Sequence, residues 1–304
     1  MKNKIIANVI NAVLVSFVVT ALVCFLLVQF ADIPFLPTWD SLFRSNPEFD
    51  TVSDSVIFMN VGEGDSTLIR SNGRFVLIDT GDGDSVDIVR KLNDFGVTGL
   101  DALVLTHWHD DHIGGSKEIM EKFPVLNVVA PALPDKNGDI YENAISVYES
   151  VREQKIDFTF IQQGMAINVG DFRLSVVYCN TENSEENNRS AIIIGRCRDS
   201  EFLFMADAEK SLEQEILDRG ITVDCDVIKI GHHGSKTSSS DDFIDAVTPE
   251  FAVISVGAGN GYGHPSSAVL NRLYNKNIEV YRTDKMGDIK FFVDEDYVRV
   301  EEAS

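Results

Sequence analysis

The sequence predicts an α+β domain in which two β-sheets pack together with helices outside, behind one membrane-crossing segment. Three observations carry this reading. Short apolar, β-branched runs recur from residue 55 onward with amphipathic helical stretches spliced between them, and the last third alternates the two regularly. Residues 5–30 carry no charge, and a helix of that length can cross a bilayer core of roughly 30 Å. All six histidines fall in three short segments, each at the end of an expected strand.

Taken in order, Lys2 and Lys4 form a positive tip (1–4) before the uncharged run. That asymmetry favours a cytoplasmic amino end, a single-pass anchor (5–30) and an extracytoplasmic remainder. The rival is a cleavable signal peptide and a secreted product, but its apolar core is normally about 7–15 residues, and no small-x-small site follows Phe30. Residues 31–53, with Pro34, Pro37 and Pro47, read as a linker, which leaves 54–304 as the outer domain. Strands are expected over 55–61, 66–69 and 74–78, a helix over 84–95, a strand over 100–106 and a helix from 116 to 123 (SKEIMEKF). Further strands are expected at 126–130, 157–161, 172–178, 190–195 and 201–205, interrupted by a helix across 140–154. The last third reads helix 208–219, strand 224–230, helix 241–246, strand 251–256, helix 265–273 and strands from 278, 288 and 297.

The chain has 304 residues and a net charge of −22; removing the first 34 residues, which carry +1, leaves −23 on the outer part. Polyanion binding depends on neutralising phosphates with Lys and Arg, so this balance argues against extended nucleic acid as a partner. Cys179, Cys197 and Cys225 show no Cys-x-x-Cys spacing, so neither a thiolate metal site nor a disulfide framework is indicated.

The chemistry concentrates in His107-Trp108-His109-Asp110-Asp111-His112, three imidazoles and acids between an apolar strand and a helix. A loop held by two rigid elements lets such side chains converge on a metal. Imidazole suits zinc, and an added carboxylate admits manganese or iron. His232-His233 end a buried-looking strand, with His232 the stronger ligand candidate, and His264 ends the third segment. Asp207 closes the apolar strand 202–206 and has two readings, a carboxylate bridging two metals or a cap for the helix that follows. Asp79 ends the strand before Thr80-Gly81 and reads as a structural acid that organises the metal loop by hydrogen bonds.

Together, Asp79-Thr80-Gly81, Thr106-His107-x-His109-x-Asp111-His112-x-Gly114-Gly115, Asp207 and His232 resemble the metallo-β-lactamase superfamily. Asn60-Val61-Gly62-Glu63-Gly64-Asp65-Ser66, the His-His-Gly-Ser run at 232–235, Tyr262-Gly263-His264-Pro265 and Tyr281-Arg282-Thr283-Asp284 resemble its ComEC/Rec2-type hydrolase branch. The resemblance covers residues 55 to about 295 and implies a four-layer αββα sandwich with two divalent metal ions, zinc or manganese, at one edge. It implies His107 and His109 on the first metal, Asp111, His112 and His232 on the second, and Asp207 between them.

Three departures stand out. The family's third histidine for the first metal is absent; Asn188 or Ser190 stands near that place, leaving water or His264 to complete the coordination. Ala206 replaces the glycine that commonly precedes the bridging acid. The many-helix channel of ComEC itself has no counterpart in a chain with one expected span.

The expected activity is that of an extracytoplasmic metal-dependent phosphodiesterase acting on a small or polymer-linked envelope phosphoester, with a metal-bridging hydroxide as nucleophile. Asp111 would orient the nucleophile, and His233 and His264 would protonate the leaving group or bind a phosphoryl oxygen. Asn188, Ser235, Lys236 and Arg282 are the substrate-side candidates, with Lys229 and Lys285 adding local positive charge. The alternatives are a lactam, lactone or thioester hydrolase, a nuclease linked to DNA uptake, and a non-catalytic anchored binding module.

Overall fold

The computed structural model describes residues 54–83, 86–134, 138–295 and 297–301, so the expected tip, anchor and linker lie outside the described residues. Among the described residues, no helix is long and apolar enough to cross a membrane.

The chain enters through a β-meander, β1 (Ser55–Phe58), β2 (Thr67–Ser71) and β3 (Arg74–Ile78). It continues through α1 (Ile88–Asp94), β4 (Ala102–Val104), α2 (Asp110–Ile113), α3 (Ser116–Lys122), β5 (Asn127–Ala130), α4 (Asp139–Gln154) and β6 (Asp157–Phe160). Then come β7 (Ala166–Val169), β8 (Phe172–Tyr178), β9 (Ile192–Cys197), β10 (Ser200–Phe204), α5 (Lys210–Asp218), β11 (Val227–Lys229) and α6 (Asp241–Val247). The last elements are β12 (Phe251–Ile254), α7 (Ser267–Asn275), β13 (Glu279–Arg282), α8 (Thr283–Met286), β14 (Ile289–Val293) and β15 (Val298–Val300). One sheet has the order β15-β14-β1-β2-β3-β4-β5-β6 and the other β13-β12-β11-β10-β9-β8-β7.

In both sheets a set of antiparallel strands gives way to four parallel ones, β3 to β6 and β10 to β13. Parallel neighbours require crossovers, and the amphipathic helices are those crossovers. The period-two pattern of the strands then has two dry faces to fill. Val76, Ile78, Ala102, Val104 and Val129 from the first sheet meet Phe172, Leu174, Ile193, Phe202, Phe204 and Val227 from the second. On the far face of the second sheet, Ile194, Leu203, Ile228 and Ile254 pack with Leu212 and Ile216 of α5, Phe243 of α6 and Val269 of α7. The alternates of the first sheet, Leu68, Leu77, Leu103 and Val128, are fully buried as well, so both of its faces are covered.

The expected strands and helices form, mostly shorter at their ends than the sequence periodicity suggests. The strand β7 was not anticipated. It pairs with β8 around Gly170-Asp171, with Val169 opposite Phe172 and Gly170 at φ 55°, so the missed signal was a glycine turn between two apolar runs. The stretch 110–113, expected as loop, closes one helical turn after His109.

Parallel strands carry their following loops at one end, so the loops after β4, β10 and β11 emerge together at one rim of the seam between sheets. The joint beneath that rim is aromatic: Phe58 lies 6.1 Å from Phe204 and 5.9 Å from Phe291, ring centre to ring centre, and is fully buried. Phe58→Ala should cost about 3–5 kcal/mol, read as a lower urea midpoint with an unchanged denaturant slope.

Candidate metal centre

Each candidate ligand is aimed by a backbone feature. After β4 the chain bends at His107 and is extended at His109, while Trp108 between them is fully buried. Trp108 fixes the loop at two points: its indole Nε1–H donates to the Ala132 carbonyl at 3.1 Å, and Glu186 Oε1 accepts from its backbone N–H at 3.0 Å. The helical turn of α2 then separates the two adjacent acids. Asp110 turns outward to accept from the Asn143 amide, and Asp111 turns inward. Gly64 allows this turn to approach the β1–β2 loop, since a Cβ there would sit 1.9 Å from the Asp111 carbonyl oxygen.

Asp79 performs the organising role expected of it. Its carboxylate accepts from the Thr106 N–H (2.8 Å) and hydroxyl (2.7 Å), and His112 Nδ1 stands 2.8 Å away. With a proton on Nδ1, His112 turns Nε2 toward Asp207.

Asp207 follows β10 on a sharp turn in which Ala206 adopts φ 45°. This left-handed backbone explains the usual glycine there; an alanine tolerates it at a cost of roughly 1–2 kcal/mol. The turn is held from below, with Ser190 Oγ accepting from Asp207 N–H and Asn188 Oδ1 from Glu209 N–H. Asp207 caps no helix: α5 starts after Glu209 and has no side-chain cap.

The side chains converge in three groups: Asp65, Asp79 and His112 form one, and the other two share Asp207. Asp111, His112, Asp207 and His233 bring one donor atom each within 4.8 Å of one another, and His107, His109 and Asp207 do the same. His107 Nε2 and His109 Nδ1 are 3.0 Å apart, near the ~3.3 Å that two nitrogens would have on one tetrahedral zinc ion. His112 Nε2 and Asp207 Oδ1 face each other at 3.2 Å, yet both are buried without a hydrogen bond. A native interior rarely leaves such atoms unpaired. An imidazole nitrogen and a carboxylate oxygen left unpaired and facing each other, with further imidazoles around them, fit divalent cations, and the mixed nitrogen and oxygen donors suit zinc or manganese.

The family model described as Metallo-beta-lactamase superfamily matches residues 59–258. The chain belongs to the metallo-β-lactamase superfamily. It is 30% identical to ComE operon protein 3 of Bacillus subtilis and 33% to Competence protein ComA of Neisseria gonorrhoeae, each over 78% of this chain and 32% of the relative. It is 28% identical to Recombination protein 2 of Haemophilus influenzae over 97% of this chain and 34% of that protein. The chain therefore spans about a third of the length of these curated relatives, which bear out the resemblance to the ComEC/Rec2-type branch. Among solved structures, CmlA, a diiron beta-hydroxylase from Streptomyces venezuelae, superposes with a TM-score of 0.54 at 14% identity, covering 80% of this chain and 54% of CmlA. A metallo hydrolase from Ignicoccus hospitalis superposes with a TM-score of 0.53 at 13% identity, covering 79% of this chain and all (100%) of that one. These likenesses show the shared fold.

Within this metallo-β-lactamase centre the paired histidines divide differently from the sequence expectation. His233 is the one placed in the four-residue group, its Nε2 3.2 Å from Asp111 and 3.5 Å from Asp207. His232 stands at the rim, partly exposed, 3.8 Å from Asp207 and 3.3 Å from Glu209. Both residues adopt left-handed backbone (φ 47° and 50°), so a local kink decides which ring faces inward, and the strand pattern gives no hint of it. His264 is not beside His107 and His109; its ring centre lies 5.5 Å from that of His232 and 6.3 Å from that of His233, stacked under the exposed Tyr262. Asn188 is buried and occupied by Glu209 N–H, so its carboxamide oxygen is engaged in holding the Asp207 turn.

Of the expected substrate-side residues, Ser235 is buried with its hydroxyl 3.0 Å from that of Thr237. Lys236 is exposed. Arg282 makes a two-pronged pair with Asp284 at 2.7 and 2.9 Å, and Lys229 is buried against Asp65 at 2.8 Å, so these two cations serve the protein's own carboxylates. Trp108, Glu186 and Glu209 were not anticipated; only Trp108, an apolar residue between two histidines, carried a readable signal.

The electrostatics suit cations. Burial opposes ionisation of Asp207, but His233 and His112 hold its carboxyl far below the usual range; burial likewise opposes Asp111, which His112 and His233 hold low. Burial opposes a charged His233 as well, yet Asp207, with Asp111 and Asp65, pushes it up to about 10. Burial, with His112 beside it, drives His107 well below its normal value, so it stays a neutral donor. The geometry predicts that His233→Ala lowers bound zinc from about two equivalents toward one, measured by metal analysis after dialysis. His232→Ala should leave the stoichiometry unchanged.

Proposed function

We propose that this protein is a binuclear metal-dependent phosphodiesterase, anchored in a membrane with its domain outside, acting on a small or polymer-linked phosphoester. The observation that carries the hydrolytic reading is the sharing of Asp207 between two donor groups at an open rim. Two bound cations supply a water-derived nucleophile at neutral pH and counter-charge for a phosphoryl group. The chain's own residues do the rest. Asp111, with about a third of its side chain exposed, faces both the ligand cluster and solvent and is placed to orient an incoming nucleophile. His232, with Glu209 3.3 Å from Nδ1, is placed to deliver a proton from Nε2 to a leaving oxygen, the role first expected of His233. His264 beside it is available for a phosphoryl oxygen.

A groove of about 770 Å³ opens at His109 and is walled by Glu182, Glu185, Glu186, Glu209, Asn187 and Arg189. Arg189 is the cation among these, and it pairs with Glu186 at 3.4 Å. A negatively walled groove repels a second phosphate, which favours a compact phosphoester over a nucleic-acid strand. The uncharged run 5–30 behind Lys2 and Lys4 supports the anchored, outward placement.

Purified protein should hydrolyse bis(p-nitrophenyl) phosphate, lose turnover on chelation and regain it with zinc or manganese. Asp207→Ala and His233→Ala should each lower kcat/KM by about 100-fold or more. Turnover of nitrocefin alone would instead assign a lactam hydrolase, and two bound metals with no turnover of any substrate would assign a binding module. The charge-reversed variant Glu182→Lys/Glu185→Lys should raise kcat/KM for a short oligonucleotide at low salt, and the gain should shrink as salt screens it.

A further inference from the structure

The metal centre is backed by two buried carboxylates, and only one has an evident role so far. Asp79 holds His112 through Nδ1 and is itself satisfied by neutral donors from Thr106. Asp65, 4% exposed, brings a carboxylate oxygen within 4.8 Å of donor atoms of Asp79 and His112 and places Oδ1 3.3 Å from Nδ1 of His233. That nitrogen is also 3.0 Å from the Ser255 carbonyl. Both neighbours are acceptors, so Nδ1 carries a ring proton, and Nε2 is the nitrogen turned toward Asp111 and Asp207, where a bound cation would take the place of its proton. Asp65 Oδ1 has no hydrogen bond of its own, an arrangement an interior tolerates only where something else compensates the charge. The compensation is Lys229, 2% exposed, whose Nζ is 2.8 Å from Asp65 Oδ2 and donates to the Ile230 carbonyl at 2.8 Å. The pair spans the two sheets, Asp65 from the β1–β2 loop and Lys229 from β11. Asp65 is further fixed by its backbone, its N–H donating to the Asp111 carbonyl and its carbonyl accepting from Gly81 N–H.

Resting on the binuclear reading above, we infer that Asp65, charge-balanced by Lys229, is a positioning residue that fixes the ring of His233 with Nε2 turned toward the second metal. An uncompensated carboxylate in this place would pull the Nδ1 proton toward itself, and no carboxylate would leave the ring's orientation to the Ser255 carbonyl alone. Lys229 sets the condition between these two. The cation that the sequence suggested for substrate binding therefore acts on the metal ligand from behind.

The test is titration of the metal-free 304-residue chain with Co(II), following stoichiometry and the visible d–d spectrum. Wild type should bind two equivalents. Asp65→Asn should bind the first as wild type and the second about 10–100-fold more weakly, with a shifted band. Because that variant strands the Lys229 charge, Asp65→Asn/Lys229→Met, which buries no lone charge, is read beside it. The double variant should unfold in urea near the wild-type midpoint and still bind the second cobalt weakly. A folded double variant with two wild-type cobalt equivalents and an unshifted spectrum would make the pair a mere clamp between sheets and overturn the inference. A wild-type protein that binds fewer than two cobalt ions would overturn the binuclear reading beneath it.

Discussion

The interior of this domain is organised around one electrostatic problem: a carboxylate, Asp207, buried to 2% exposure between imidazoles from two directions. A lone ion in such surroundings is strongly unfavourable, and the surrounding architecture reads as its solution. His107 and His112 arrive from the loop after β4, His233 from the turn after β11, and Nδ1 of His112 faces Asp79 while Nδ1 of His233 faces the Ser255 carbonyl, which leaves Nε2 of each as the nitrogen turned inward. The left-handed turns at Asp79, Ala206, His232 and His233 gather at this rim because strands ending side by side must bend sharply to aim side chains at one point. Regular strands could not do this, and the sheets below supply the burial that offsets the strain.

Most of the frame was legible from the chain. Buried parallel strands are unbroken apolar runs, so 102–104, 127–130 and 227–229 stood out, and amphipathic crossovers such as 139–154 declared themselves by period. The hairpin strand 166–169 did not, because four residues with two modest apolar positions carry little pattern, and the glycine turn beyond them was the better signal. The site was legible as composition, since histidines clustered at strand ends and a strand closing in Asp207 are visible in one dimension. Orientation was not. Which of Asp110 and Asp111, or of His232 and His233, faces inward depends on one helical turn and one backbone kink. Neighbouring residues of the same type are indistinguishable until those bends are known. Charge bookkeeping along the sequence erred for a related reason: Lys229 and Arg282 lie near the motifs in sequence, but each already has a buried or half-buried acid of its own in space.

The groove beside His109 and the metal loop are mechanically one piece. Glu186, on the loop that walls the groove, accepts from the Trp108 backbone between the two histidines, and Arg189 of the same loop braces Glu186. Changes at Glu182 or Glu185 alter the wall alone, whereas a change at Glu186 reaches the spacing of His107 and His109. Selection on substrate preference thus has freedom at the outer acids and little at the inner one.

The donors for the centre come from both sheets, His107 to His112 from one and Asp207 with His233 from the other. A bound cation is consequently a rivet through the seam of the sandwich. Since neither sheet alone can assemble the full donor set, ligation is conferred on the closed domain and withheld from any state in which the sheets part. At a free metal level about a thousandfold above the dissociation constant, such linkage adds about 4 kcal/mol to the closed form. Metal supply would then govern not only whether the protein acts but how long it survives among proteases, making the lifetime of the folded molecule a readout of the ions around it.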